Sequence, residues 1–96
     1  MNKENIINIL KMELPRLKAE YNVNTLELFG SYVRNEQTFD SDIDILVTFS
    51  RTPGLFEFIN LENHLSDLLG MKVDLVMRSA LKRNIGKKII SEAKPI

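Results

Sequence analysis

Two short motifs in the first half of the chain combine residue types that bind phosphate and metal ions. Gly30-Ser31 follows the apolar run Leu26-Glu27-Leu28-Phe29, and ten residues separate Ser31 from Asp42, which forms an Asp-x-Asp with Asp44. Glycine accepts the strained backbone of a tight turn, and N–H groups at a helix N-terminus bind anions. Carboxylates without a nearby histidine or cysteine suit Mg²⁺ or Mn²⁺. The stretch 30–44 therefore predicts a phosphate-binding turn beside two metal-binding acids.

A third acid fits the same chemistry. Residues i and i+2 of a strand point to the same face, about 7 Å apart at roughly 3.3 Å per residue, as Asp42 and Asp44 would. Asp74 lies in the short apolar segment 72–77, where an acid is unexpected. If this segment pairs with the strand at 43–49, Asp74 faces the same site. Three acids on two adjacent strands form the ligand set of a two-metal nucleotidyl-transfer site, with Asp74 as the extra ligand and a candidate base.

Two simpler readings compete with a metal site. Acids can protect the edges of a sheet, which would explain one such residue more readily than three. The run 40–44 also has the spacing at which a calcium-binding EF-hand loop begins. That loop requires glycine where the chain has Ile45 and glutamate where it has Arg51, so a calcium loop is excluded.

The Gly-Ser turn is interpreted as a site for the β- and γ-phosphates of a nucleotide. Backbone N–H groups beyond Gly30, with the Ser31 hydroxyl, would face the anion. Arg34 lies three residues past Ser31, so both fall on one helix face, and Arg34 is a candidate for holding a phosphate or for pairing with Glu36 or Asp40. The competing interpretation is an ordinary turn in which Ser31 caps a short helix.

Hydrophobic periodicity supplies the elements that would carry these residues. It predicts an α+β (α/β) fold with a three-stranded sheet, whose helices cover one face strongly and leave the other face for the site. The final helix carries Lys82, Arg83, Lys87 and Lys88, read as a solvated surface. The predicted elements are a helix at 3–20, a strand at 25–29, a short helix to 35, a strand at 43–49, a helix at 55–69, a strand at 72–77 and a helix at 79–91.

Length and charge limit the possible functions. Ninety-six residues make one domain, 1–96, and 13 basic residues balance 13 acidic ones, so direct binding of nucleic acid is not expected. The absence of cysteine excludes thiolate chemistry and disulfides. The first ten residues are too short and too polar a stretch for a signal peptide or a membrane span, so a cytoplasmic location is expected.

The combined motifs resemble the DNA polymerase β-type nucleotidyltransferase superfamily. Its pattern is met by Gly30-Ser31, Asp42-Ile43-Asp44 and Asp74, and nearly the whole chain resembles the minimal nucleotidyltransferase (MNT) branch. The resemblance implies a polymerase β-like fold with a small mixed sheet flanked by helices. It further implies that Gly30 and Ser31 bind triphosphate and that Asp42, Asp44 and Asp74 bind the metal.

The resemblance also implies substrates and a partner. Members of the family bind a nucleoside triphosphate with Mg²⁺ and transfer a nucleoside monophosphate. Many minimal members are antitoxins of a small HEPN-type RNase toxin, and some adenylylate a tyrosine of that toxin. The expected activity is therefore transfer of AMP from ATP to a partner protein, since a chain of this length has no room for a second, acceptor-binding domain.

One position departs from the family pattern. The family commonly reads Gly-Ser-x-Ala-Arg-Gly, whereas this chain has Asn35 in place of the last glycine. Asparagine tolerates a left-handed backbone, so the turn is expected to survive.

Two alternative functions stay open. They are a non-catalytic antitoxin that neutralises its partner by contact, and a nucleotidyltransferase subunit that modifies a small molecule or RNA.

Overall fold

The computed structural model describes residues 1–96 and confirms the mixed α/β class. Four α-helices and four strands alternate along most of the chain. The elements are α1 (Lys3–Tyr21), β1 (Val23–Phe29), α2 (Ser31–Arg34), β2 (Ile43–Phe49), α3 (Leu55–Leu69), β3 (Val73–Met77), a 3₁₀ turn (Arg78–Ala80), α4 (Arg83–Glu92) and β4 (Lys94–Pro95).

The sheet is mixed, as predicted, but it has four strands rather than three. Its order is β3-β2-β1-β4, with β2 parallel to β3 and both β2 and β4 antiparallel to β1. The additional strand β4 is only two residues long and contains Pro95. A segment this short has no alternating pattern of its own, so only its pairing with β1 identifies it as a strand.

Helices α1 and α3 pack together on one face of the sheet and bury the main core there. From β2, the alternating side chains of Ile43, Ile45 and Val47 enter this core. The helices contribute the apolar stripes predicted from their periodicity, including Leu10 and Leu17 from α1. Helix α1 runs unbroken through Pro15. The prediction that the helices cover one face strongly is therefore confirmed.

The outer edge of β3 is covered by side chains of α3. The Ser66 hydroxyl accepts a hydrogen bond from the Val73 N–H at 3.0 Å, and the Glu62 carboxylate accepts one from the Leu75 N–H at 2.9 Å. Exposed strand edges recruit other strands, and these two bonds occupy the outward N–H groups. The edge beside Asp74 is thus closed without an additional strand.

Several predicted boundaries were wrong. Asn22, with φ of 58°, ends α1 in the left-handed conformation, and β1 begins at once with the buried Val23 instead of at residue 25. The last helix begins at Arg83, because residues 78–80 form a 3₁₀ turn and Leu81 is extended. In neither segment does a local pattern mark the boundary. No helix has the length and apolar character needed to cross a membrane.

Candidate active site on the open face of the sheet

The carboxylates of Asp44 and Asp74 lie side by side on the face of the sheet opposite the two packed helices. Asp44 on β2 pairs in register with Asp74 on the parallel strand β3. Their strand neighbours Ile43 and Val73 point into the core, so the two acids point away from it. Asp42 lies one residue before the start of β2. The predicted adjacency of the two strands is confirmed, although Asp42 lies outside the strand.

The Gly-Ser turn contacts the carboxylate of Asp44 directly. Gly30 has φ of +81°, a conformation that other L-residues rarely adopt. A Cβ on residue 30 would lie 2.9 Å from the Asp44 Cγ and would overlap its Oδ2. Only glycine therefore allows the Asp44 carboxylate to lie against the backbone of the turn. The Gly-Ser turn and the Asp-x-Asp motif are therefore in direct contact.

Electrostatic strain is concentrated at Asp44. The pKa of its carboxyl is raised from 3.8 to about 6, first because burial disfavours the charged form, then because Asp74 and Asp42 repel it. The positive charge of Arg34 opposes this shift. Both Asp42 and Asp74 therefore lie close enough to Asp44 to repel its charged form. A divalent cation held among the three acids would relieve this repulsion.

The carboxylates share a face without converging on one point. The Asp42 Oδ2 lies 3.8 Å from the ammonium nitrogen of Lys72, and Asp74 is exposed. No three His, Cys, Asp or Glu side chains are gathered closely enough to hold an ion as they stand. The donor set nevertheless fits magnesium, because every candidate ligand is a carboxylate oxygen on, or directly before, one of two adjacent strands.

The helix after Gly30 differs in detail from the expectation. Ser31 is its first residue, Gly30 is the N-cap, and no side chain caps it, so the interpretation of Ser31 as a cap was wrong. Asn35 takes the left-handed conformation with φ of 57°, which confirms that asparagine serves where the family pattern has glycine. Tyr32 is buried, and its hydroxyl lies 3.4 Å from the Met71 sulfur, so it packs in the core.

Arg34 is held by two glutamates. Its Nε donates to Glu36 Oε2 at 3.0 Å and its Nη1 to Glu92 Oε1 at 2.8 Å. The pairing with Glu36 is one of the two ion pairs considered from the sequence, and Asp40 instead accepts a hydrogen bond from the Thr38 hydroxyl. Glu92 was not identified from the sequence. It is 58 residues from Arg34, and no local signal connects the two.

A second ion pair on the open face was also missed. Glu27 of β1 lies 3.4 Å from Arg78, which follows β3. Strand β2 runs between those strands, so the ion pair spans β2 on the open face. Leu46 of β2 is only 1% exposed, although it lies on this face and not under the helices. The alternation Leu26-Glu27-Leu28 does place Glu27 on this face, so strand periodicity offered a signal for it.

The acids lie on an open surface, not in a cavity. The concavity nearest to them along β2 is at the other end of that strand and of β3. Its lining is Val47, Thr48, Phe49, Thr52, Met77 and Ser79. None of the three acids Asp42, Asp44 and Asp74, which together form the acid row, is fully buried.

Sequence comparison connects this site with known proteins. The family described as "Polymerase beta, Nucleotidyltransferase" matches residues 4–96. A protein of Methanocaldococcus jannaschii is 53% identical over 87 residues, which cover 91% of this chain and 89% of that protein. The protein adenylyltransferase MntA of Thermococcus cleftensis is 47% identical over 89 residues, covering 93% of this chain and 90% of the relative.

Solved structures agree with the sequence relatives. One described as a minimal nucleotidyltransferase is similar with a TM-score of 0.83 and 31% identity, covering 100% of this chain and 97% of the other. A toxin–antitoxin structure with AMP-PNP gives a TM-score of 0.71 at 27% identity, covering 99% and 72%. A chain in the structure of a tri-AMPylated HEPN toxin of Shewanella oneidensis in complex with MNT antitoxin gives a TM-score of 0.60 at 25% identity. The match covers 96% of this chain and 66% of the other.

Proposed function

Because the chain belongs to the polymerase beta nucleotidyltransferase family and is a nucleotidyltransferase, we propose that it is a Mg²⁺-dependent protein adenylyltransferase acting as an antitoxin. It transfers AMP from ATP to a tyrosine of a HEPN-type RNase toxin and thereby neutralises the toxin. The name of the 47% identical relative supports transfer of an adenylyl group to protein. The AMPylated HEPN toxin in complex with an MNT antitoxin supports the class of partner.

One observation carries this proposal: Asp44 is in register with Asp74 while its carboxylate lies against Gly30. This contact brings the turn proposed to bind phosphate and the acids proposed to bind metal to one position on the open face. Neither the edge-protecting role of acids nor an ordinary turn requires it. A chain that used Asp44 only for solubility would have no need of a glycine beneath it.

Each site residue is assigned to binding either the metal or the triphosphate of the nucleotide. Asp42, Asp44 and Asp74 would hold Mg²⁺, which when bound neutralises phosphate charge and activates the attacking oxygen. Gly30 and Ser31 bind the triphosphate through backbone N–H groups and the Ser31 hydroxyl. Arg34 adds a positive charge to the same side, consistent with its effect on Asp44. The chain thereby fixes the α-phosphorus relative to the acceptor oxygen.

The transfer itself is a substitution at phosphorus. The phenolic oxygen of the acceptor forms a bond to the α-phosphorus of ATP. The bond between that phosphorus and the oxygen bridging to the β-phosphate breaks, and pyrophosphate leaves with the bonding electrons. The phenolic proton passes to the carboxylate of Asp74, which is exposed to solvent and can release it again.

The direct experiment is transfer of label from α-³²P-ATP in the presence of Mg²⁺ and the HEPN-type toxin proposed as the partner. Label should appear on the partner and should be lost when the acceptor tyrosine is replaced by phenylalanine. RNase activity of the partner should fall in parallel with labelling. γ-³²P-ATP serves as the control, because its label leaves with pyrophosphate and should never reach the partner.

Two results would redirect the proposal. If Asp44→Asn neutralises the RNase as well as the wild type does, the protein acts by contact alone. If label passes to RNA or to a small molecule and none to protein, the chain is a nucleotidyltransferase for a different acceptor. Absence of label on every acceptor, under conditions where the pair binds, rules out the catalytic assignment.

A further inference from the structure

Arg34 donates hydrogen bonds to two carboxylates, one close to it in the sequence and one distant. Glu36, two residues further on, accepts from Nε, and Glu92, the last residue of α4, accepts from Nη1. The Glu92 side chain is 21% exposed, low for a glutamate, while Arg34 is 42% exposed. The guanidinium therefore has one sheltered anchor and one solvent-facing anchor.

Two anchors fix the orientation of a planar group. A guanidinium carries five N–H donors in one rigid plane. With Nε bound to one carboxylate and Nη1 to another, rotation of the guanidinium is restricted, and the remaining N–H groups keep a preferred direction. Neither glutamate accepts a hydrogen bond from Nη2. The clamp thus orients a pair of donors and keeps them available for another anion.

The segment that supplies Glu92 is itself attached to the strand that leads into the phosphate turn. The Ile96 N–H donates to the Leu26 carbonyl at 2.9 Å, and Lys94 is paired with Leu28. Leu28 lies two residues before Gly30. The end of the chain therefore contacts both the backbone entering the turn and the arginine leaving it.

We propose that Glu92 is a positioning residue for nucleotide binding: it orients Arg34 so that the Nη2 edge meets the phosphates of a nucleotide held at Gly30-Ser31. The carboxyl-terminal segment completes the site through this contact. The proposal rests on the nucleotidyltransferase function proposed above and adds a residue outside the family's Gly-Ser and Asp-x-Asp motifs.

The chain contains a matched arginine that has no such role. Arg16 donates from Nε to Glu20 at 3.0 Å and lies 3.7 Å from Glu13, and all three residues belong to α1. Both arginines are thus held by two glutamates, but only Arg34 follows the Gly-Ser turn. Ion pairs of partly exposed arginines contribute little to stability, so we expect neither clamp to be essential for folding. Glu20→Gln is consequently the control for Glu92→Gln.

The test measures binding of AMP-PNP with Mg²⁺ by calorimetry, on the full chain. Glu92→Gln removes the charge that holds Arg34 and should weaken binding about tenfold, the effect of losing one well-aligned charged hydrogen bond. Arg34→Lys keeps a positive charge but has no fork of donors, and it should lose at least as much affinity. Glu20→Gln should bind as the wild type does. Thermal melts of all three variants should match the wild type.

A double-mutant cycle separates positioning from a structural role. If Glu92 acts through Arg34, Glu92→Gln should cause no further loss of affinity in the Arg34→Lys background. Additive losses would show that Glu92 stabilises the site in some other way and would overturn the proposal. So would a Glu92→Gln protein that binds AMP-PNP as well as Glu20→Gln does.

The proposed protein-transfer function can fail separately. If the wild type binds AMP-PNP but labels no partner, the acceptor assignment is wrong while the cycle still decides the role of Glu92. If labelling proceeds, Glu92→Gln should raise KM for ATP about tenfold and leave kcat within about twofold of the wild type. A fall in kcat with unchanged KM would contradict a role in holding the ground-state nucleotide.

Discussion

The two faces of the sheet differ in what their side chains contact, and strand β2 contributes to both. Ile45 and its alternate neighbours enter a dry core beneath α1 and α3. Asp44, the residue before Ile45, points to the other side, where it meets Gly30 and two further acids. One face is covered by two long helices. The other face carries ion pairs and the acid row. At the edge of the sheet, β4 pairs only with the end of β1.

Because successive side chains of a strand point to opposite faces, β2 contributes to the stabilising core with one set of residues and to the candidate site with the other. Burial of apolar side chains is the main stabilising term, and it is largely confined to the helix-covered face. Charges that repel one another destabilise a fold, and they are gathered on the opposite face, where solvent and a bound cation can reach them. Substitutions on adjacent residues of β2 should therefore have opposite consequences for stability and activity.

The largest effect is expected from Asp44→Asn. Removing a carboxylate that holds the metal should lower nucleotidyl transfer by about 10³-fold or more, roughly 4 kcal/mol of transition-state stabilisation. Glu27→Gln on the same face should keep activity within a few-fold, because Glu27 pairs with Arg78 and not with the acid row. Steady-state labelling rates of both variants measure the contrast. Equal losses in the two would show that any charge on the open face matters.

On the covered face, Ile45→Ala should destabilise the protein by about 2–5 kcal/mol, because it leaves a cavity in a core where Ile45 is 0% exposed. Urea denaturation at equilibrium measures the change. Residual activity per folded molecule should equal that of the wild type. A folded Ile45→Ala protein with impaired transfer would mean that the two faces are not independent.

The pH dependence of stability should reveal the strain at Asp44. Its pKa is about 6 when folded and near 3.8 as an ordinary carboxyl, so between these values the folded state binds more protons than the unfolded state. Stability of the metal-free protein should therefore fall as the pH rises from about 4 to about 6. The loss due to Asp44 should be about 1–2 kcal/mol, reduced from the full shift because the group is only half-buried.

Denaturation of the wild type and Asp44→Asn across that pH range checks this expectation. The variant should lack the fall and be the more stable protein at pH 7. Added Mg²⁺ should stabilise the wild type at pH 7 and have less effect on the variant, because binding to the folded state adds stability by mass action. A wild type that gains stability from pH 4 to 6 more than the variant does would refute the assignment.

The smallest effect is expected from Arg78→Gln. Its pair with Glu27 lies at the surface, with the arginine side chain 43% exposed, and such pairs contribute about 0.2–1 kcal/mol. A shift of the urea midpoint within that range, reduced further at high salt, is the expected result. A loss of stability as large as that of Ile45→Ala would contradict this. It would indicate that the ion pair, by covering Leu46, makes the open face a second hydrophobic core.

Much of the site was predictable because its signals are local. Gly30, Ser31, Asp42, Asp44 and Asp74 were identified from residue type and spacing, and the structure brings the turn and the acids to one face. Strand alternation placed Asp44 and Asp74 opposite the core correctly. Their roles in binding metal and phosphate stay predictions.

The misses have a common cause. The two-residue strand β4 has no pattern, and the last helix starts four residues later than predicted because a 3₁₀ turn precedes it. Ser31 lies inside the helix it was expected to cap. Each depends on how a segment docks onto β1 or against the turn, which residue types in a short window do not encode.

The amino-acid sequence alone was enough to identify the reactive groups: a glycine that can form a tight turn, three carboxylates, and the strand alternation that directs Asp44 and Asp74 away from the core. These follow from backbone geometry over a few residues. Only the tertiary structure decided that Asp44 rests against Gly30, that Glu92 holds Arg34 across 58 residues, and that Glu27 meets Arg78 across 51. Such contacts depend on the packing of distant segments, whose partners are selected by the whole folded chain.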